Sequence, residues 1–277
     1  MNKQKVWLIT GASGGMGLIL AKAVLAKGDK VIVTTRNVQA PALQINDSDD
    51  RLLPLQLDIT SDNEVKNAIA KAIQHFGQID IVVNNAGYYL VGSLEEITDN
   101  EFRKTMDVNL FGTVNIIRHI MPHFRERGSG HVINISSNMG YVGFANTGSY
   151  NAAKFAVIGL SEALAAEAKP FGIKVTVVAP GMFRTNFMNE GALAVAKQTV
   201  TAYGVMEHKK MLDSYNGHQP GDPKKLAAVL INITELDQPP VHLLLGPDSY
   251  HSVLEQRVKE AVELEQWKQL SLSTDFD

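Results

Sequence analysis

KVWLITGASGGMGLILAKAVLAKG, residues 5–28, is a short apolar strand, then a glycine-rich turn, then a run with helical spacing that ends at Gly28. That order is the context a phosphate-binding turn needs. Gly11, Gly15 and Gly17 allow a tight turn, close backbone approach and close helix packing. The start of the helix offers free N–H groups and a partial positive charge to a pyrophosphate. The spacing is G-x-x-x-G-x-G rather than G-x-G-x-x-G, and no G-K-[ST] follows, so this is no P-loop for ATP.

The same alternation continues outward. KVIVTT (30–35), RLLPLQLDIT (51–60), QIDIVVNNAG (78–87), GHVINISS (130–137), GIKVTVVAP (172–180) and VHLLLG (241–246) read as six further strands. Helical spacing fills 62–76, 98–127, 149–170, 223–234 and 248–270. A break is expected near Gly112, and Ser149 is expected to cap its helix. Leu254, Val258, Ala261 and Leu264 fall on one side of the last helix, and 38–51 reads as a variable polar loop. Seven alternating strands predict an α/β fold: one doubly wound parallel sheet with helices on both faces, placed there by right-handed crossovers. No linker divides the chain, so 1–277 reads as a single domain.

Bulk composition removes several function classes. The net charge is −3, so no basic field points to nucleic acid. The absence of cysteine excludes disulfides, thiol nucleophiles and cysteine-bound metals. No apolar run is long enough to span a membrane, and MNKQKVWLIT is no signal peptide, so a cytoplasmic protein is expected. His119 and His123 stand four apart, but Pro122 lies between them and no H-E-x-x-H is present, so no metal site is expected. No G-x-S-x-G elbow supports a serine hydrolase.

Chemistry gathers between Ser137 and Lys154, SNMGYVGFANTGSYNAAK. Tyr150 and Lys154 share one helix face on neighbouring turns. Ser137 falls at the C-terminal tip of a strand, where open α/β sheets place ligands. A phenol near its ordinary pKa of about 10 exchanges protons poorly at neutral pH, and a nearby ammonium favours the phenolate. Ser137 can hold a substrate oxygen beside Tyr150. Arg36, at the end of the second strand, stands where an NAD site has a carboxylate; its guanidinium suits a 2′-phosphate. Asn84 and Asn85 can fasten neighbouring strand ends, and Asn109, awkward inside a helix, marks a local irregularity or a bound water.

TGASGGMG (10–17), NNAG (84–87), Asn109 in DVNLFG, Ser137, YNAAK (150–154) and PGMFRT (180–185) together resemble the short-chain dehydrogenase/reductase family, in order and in spacing, up to about residue 246. The resemblance implies a Rossmann-type domain that moves hydride between NAD(P) and a carbonyl/alcohol pair. It implies Tyr150 as general acid/base and Lys154 as its charge partner and ligand of the nicotinamide ribose. Ser137 would orient the substrate, and Asn109 would hold a relay water. It further implies Gly11, Ser13, Gly15, Met16 and Gly17 at the pyrophosphate, Asp58 at the adenine, and Asn85, Ala86 and Gly87 on the adenosine side. Pro180, Gly181, Phe183 and Thr185 would edge the nicotinamide.

Two departures stand out. Many NADP-preferring members carry a basic residue where this chain has Gly14, so the NADP(H) preference rests on Arg36, and use of NAD(H) stays open. The final stretch, about 247–277, is a C-terminal helical extension past the usual last strand, placed to cover the substrate mouth or alter subunit packing. The family resemblance also implies a homodimer or homotetramer. Substrate specificity is expected in 182–218, with the tail as a second place for it. Met139, Tyr141, Val142, Phe144, Met182, Phe187 and Met188 are candidates for an apolar pocket wall suited to a hydrophobic carbonyl or alcohol. The competing reading is a non-catalytic NADP(H)-binding or redox-sensing protein, which the intact Ser137, Tyr150, Lys154 and Asn109 oppose.

Overall fold

The computed structural model describes residues 4–37 and 50–276; most of the expected loop at 38–51 lies outside the described residues. β1 (Val6–Thr10) is buried along its whole length. Val6 and Leu8 join one core, with Ile32, Val82, Val132 and Val175. Trp7 and Ile9 join another, with Val33, Val83, Ile133 and Val178. Alternate side chains point to opposite faces, so a strand covered on both faces is apolar throughout. That is why KVWLIT shows no polar alternation.

The strands that share this sheet are β2 (Lys30–Thr35), β3 (Leu52–Gln56), β4 (Ile81–Asn84), β6 (Gly130–Ile135), β7 (Ile173–Pro180) and β9 (His242–Leu245). Their order is β3-β2-β1-β4-β6-β7-β9, all parallel. Helices α2 (Asp62–Phe76), α4 (Gly112–Arg127) and α5 (Gly148–Ala168) pack on one face, and α1 (Gly15–Ala26) and α7 (Pro223–Ile233) on the other. The strand order turns back between β1 and β4, opening a crevice at their C-terminal ends. This is the doubly wound Rossmann-type sheet that the alternation predicts.

Local details correct several expectations. The chain does not break at Gly112. Helix α3 (Asp99–Met106), started by a Thr98–Glu101 capping box, passes through a π-helical turn at Asp107–Phe111 into α4. Gly112 is small because a Cβ there would lie 2.4 Å from Ile59 Cδ1. Ser149 caps nothing: α5 starts at Gly148, and Ser149 lies buried inside it with no hydrogen-bond partner for its hydroxyl.

Two short strands escape any reading of periodicity. β5 (Tyr89–Val91) pairs in parallel with β8 (Leu193–Val195), about a hundred positions later in the chain, as a small separate sheet. Glu96 accepts from the Val200 N–H at 2.7 Å and Glu101 from the Lys197 N–H at 3.2 Å, which ties down the start of the substrate segment. Helix α6 (Val205–Tyr215) follows.

The extension forms α8 (Pro247–Gln266) and α9 (Lys268–Leu272). Its buried contacts are Ser249 and Val253, while Leu254, Val258 and Leu264 are exposed. The apolar stripe therefore does not face the body. A stripe says that a helix has two sides, but not which one a neighbour reaches.

Candidate active site

Glycine does its work at specific contacts in the turn. Gly11 and Gly15 have φ of +66° and +55°, a region that penalises any Cβ. A Cβ on Gly11 would also lie 2.7 Å from Ala86 Cα, so the first turn packs directly on the β4 turn. Gly17 sits behind the crevice wall, where a Cβ would meet Asn85 Nδ2 at 2.6 Å. Helix α1 has no side-chain cap and no acidic residue in its first turn, so its leading N–H groups keep their capacity for an anion.

Thr10 and the β4 end are fastened together. Asn85 Nδ2 donates to Thr10 O at 2.9 Å, and Thr10 Oγ1 accepts from the Asn85 and Ala86 N–H groups. Asn84 Nδ2 donates to Asn134 Oδ1 at 2.8 Å, linking β4 to β6. These are the strand-end links expected of the two asparagines.

One cavity of about 850 Å³ collects the crevice residues. Gly11, Ser13, Gly15, Met16, Arg36, Asp58, Asn85, Ala86 and Gly87 line it, and so do Ser137, Tyr150, Lys154, Pro180, Gly181, Phe183 and Thr185. Gly17 and Asn109 stand behind its surface. Asp58 accepts from Thr60 N and Oγ1, and these bonds, with Arg36 nearby, hold its carboxyl below the usual carboxylate range. A long cleft bounded by an uncapped helix start, a guanidinium and a buried phenol–ammonium pair fits a dinucleotide in shape and charge.

Asn109 occupies the π-helical turn, as the sequence hinted. Its Oδ1 accepts from the Tyr88 N–H at 2.9 Å and its Nδ2 donates to Tyr88 O at 3.0 Å. Both ends of the side chain are thus engaged with the backbone beside the cavity. Asn109→Ala would strip both partners from Tyr88 and is expected to lower unfolding stability by about 1–3 kcal/mol, read from urea denaturation.

Tyr150, Ser137 and Lys154 converge in the cavity wall. Tyr150 and Lys154 are both buried, and Lys154 Nζ lies 5.5 Å from the Tyr150 ring centroid. The ammonium donates to Ile135 O at 2.9 Å, so the end of β6 sets its position. Ser137 Oγ accepts from the Met139 N–H at 3.1 Å and caps a short 3₁₀ turn just past β6. Burial pushes the Tyr150 hydroxyl well above the ordinary phenol range; Tyr89 adds to this, and the Ser137 hydroxyl works against it. Burial also lowers Lys154 to about 8. In the protein alone, burial disfavours the charged form of each group, so the phenol lies above its ordinary range rather than below it.

The apolar end differs in part from expectation. Met139, Phe144, Met182, Phe187 and Met188 line the cavity, but Tyr141 and Val142 pack into a core with Val157 and Ile158 instead. Tyr89, Leu193, His208 and Leu212 line it as well. The Tyr89 ring meets the Tyr150 ring edge-on at 4.9 Å. β5, β8 and α6 bring these four residues in, and no local pattern marks them. His119 and His123 lie elsewhere, with His119 paired to Asp62 and His123 accepting from the Ile79 N–H. Among the described residues no cluster of three metal-ligating side chains occurs, and no helix is long and apolar enough to cross a membrane.

The sheet, the glycine turn and the Ser–Tyr–Lys constellation define a nucleotide-dependent oxidoreductase of the Rossmann class. The chain belongs to the short chain dehydrogenase family, whose model matches residues 5–194. It is similar to a short-chain dehydrogenase from Streptomyces avermitilis, with 39% identity and a TM-score of 0.91 over 99% of this chain and all of that one. It is 35% identical to the 3-ketodihydrosphingosine reductase of Bacteroides thetaiotaomicron over 88% of each chain. ElxO, solved with NADP bound, matches 88% of this chain and 97% of its own at 28% identity and a TM-score of 0.71.

Proposed function

We propose that this oxidoreductase uses NADP(H) to interconvert an apolar carbonyl compound and its alcohol, with Tyr150 handling the proton. The observation that carries the reading is that Arg36 and the Ser137–Tyr150–Lys154 group line one cavity. When bound, the cofactor supplies or accepts hydride at its nicotinamide ring. The Tyr150 hydroxyl holds the proton that passes to the carbonyl oxygen during reduction. On substrate binding the Ser137 hydroxyl turns its proton from Asn138 Oδ1 to that same oxygen and keeps it beside the phenol. As Tyr150 gives up its proton, the buried Lys154 ammonium faces the resulting phenolate, and their attraction offsets part of the cost of burying each charge.

The NADP(H) preference rests on Arg36, with NAD(H) as a weaker alternative. A guanidinium binds a phosphate by a charge-assisted, two-pronged hydrogen bond. Arg36→Ala is expected to weaken NADPH about 10–100-fold and NADH by no more than about threefold. Titration calorimetry with both cofactors checks this, and equal losses would reject the 2′-phosphate role.

Met139, Phe144, Phe187, Leu193 and Leu212 suit an apolar substrate, and His208 is a polar group among them. Burial lowers the His208 pKa, so the ring is neutral at pH 7 and can serve as donor or acceptor. The name of the Bacteroides relative, a reductase of a 3-keto compound, supports reduction of ketones. NADPH consumption with ketones and aldehydes of graded chain length tests the proposal. Tight NADPH binding with no turnover on any of them would favour the non-catalytic reading.

A further inference from the structure

We propose that Asp248, in the first turn of the C-terminal extension, is a positioning residue for the nicotinamide end of the cleft; this rests on the cofactor reading above. The segment in question is the exit of β7. Pro180, Gly181, Met182, Phe183 and Thr185 all border the cavity, and three hydrogen bonds from the chain around α8 hold the start of this run. Ser249 Oγ donates to Ala179 O at 2.8 Å, the Gly181 N–H donates to Leu245 O at 2.8 Å, and the Met182 N–H donates to Asp248 Oδ2 at 2.6 Å. The last is short and charge-assisted, the strong kind.

The glycines around it are shaped to this carboxylate. A Cβ on Gly181 would lie 2.1 Å from Asp248 Oδ1, and one on Gly246 would lie 2.5 Å from the same atom. Gly181 has no positive φ that would call for glycine on conformational grounds, so its missing side chain is explained by the oxygen that takes the space. The opposite side of the run is held too. The Gly221 N–H donates to Met182 O at 3.0 Å, and the Arg184 N–H donates to Gly221 O at 2.9 Å. The Met182 N–H and C=O are therefore both fixed, so Asp248 sets the Gly181–Met182 peptide and Gly221 the Met182–Phe183 peptide against the cavity. Helix α8 also reaches the other catalytic wall. Asn138, which accepts from Ser137 Oγ at 3.1 Å, donates weakly to Ser252 Oγ at 3.4 Å. The extension thus braces the cofactor cleft from behind and leaves the substrate mouth to the 182–218 segment.

The test is calorimetry on the full chain, comparing NADP⁺ with 2′,5′-ADP, which lacks the nicotinamide half. Asp248→Ala is expected to weaken NADP⁺ about tenfold and leave 2′,5′-ADP within about twofold. Asp248→Asn, whose amide oxygen still accepts from Met182, is expected to recover most of the loss. Gly181→Ala, which drives the carboxylate away, should repeat the alanine result in a chain that keeps Asp248. Equal weakening of both ligands, no weakening of either, or an Asn variant no better than Ala would overturn the positioning role. Wild-type protein that binds no nicotinamide cofactor would instead sink the cofactor reading, and this inference with it.

Discussion

Tyr150→Phe is expected to lower kcat by about two to four orders of magnitude while NADPH binds as it does to the wild type. The substitution deletes one oxygen and leaves the ring, which packs edge-on against Tyr89 and joins a core with Val91 and Leu193. The pocket therefore keeps its shape, and only the proton at the phenol is lost. Burial holds that phenol above its ordinary range in the protein alone. Proton transfer at neutral pH then depends on charge stabilisation as the phenolate forms, which Lys154 and Ser137 are placed to supply. Steady-state kinetics with a responsive ketone, beside calorimetry with NADPH, separates the two quantities. A variant with near wild-type turnover would place the proton on another group.

Lys154→Met carries the second large effect, and its two consequences run in opposite directions. Turnover should fall by about two to three orders of magnitude, because no cation remains beside the phenolate. Stability at pH 7 should rise by about 2 kcal/mol. Burial depresses the lysine from 10.5 to about 8, and each unit corresponds to about 1.4 kcal/mol of cost to the charged form. The lost bond to Ile135 O offsets part of this gain. The pH dependence fixes the cause. Between about pH 8 and 10.5 the folded wild type has released the proton while the unfolded chain still binds it, so wild-type stability climbs. The advantage of the methionine variant should shrink across that window. Urea unfolding at pH 7 and pH 10 measures both ends. A variant less stable than the wild type at pH 7, with a gap that ignores pH, would mean that the lysine's hydrogen bond matters more than its buried charge.

Much of the site was legible before any coordinates. The glycine turn, the paired asparagines and the spaced Ser137, Tyr150 and Lys154 all rest on short-range pattern. A strand that ends in glycines and enters a helix can hold its turn in few ways, and residues four apart on a helix must share a face. Even the irregularity at Asn109 was signalled, because that side chain competes with helical hydrogen bonding. The apolar end was less legible. Tyr89, Leu193 and His208 come from segments far apart in the chain, and three-residue strands are too short to show a period. Tyr141 and Val142 look the same in sequence as Met139 and Phe144, yet they turn into the core.

The sequence alone determined the sheet, its parallel sense and the shared helix face of Tyr150 and Lys154, since each follows from local spacing and from burial on two faces. Tertiary structure alone decided which apolar residues face the cavity and which side of the last helix meets the body. It also decided that Asp248 reaches Met182 across 66 positions. The reason is physical: periodicity fixes where a side chain points relative to its own backbone, whereas contact and desolvation depend on what another part of the chain brings opposite it.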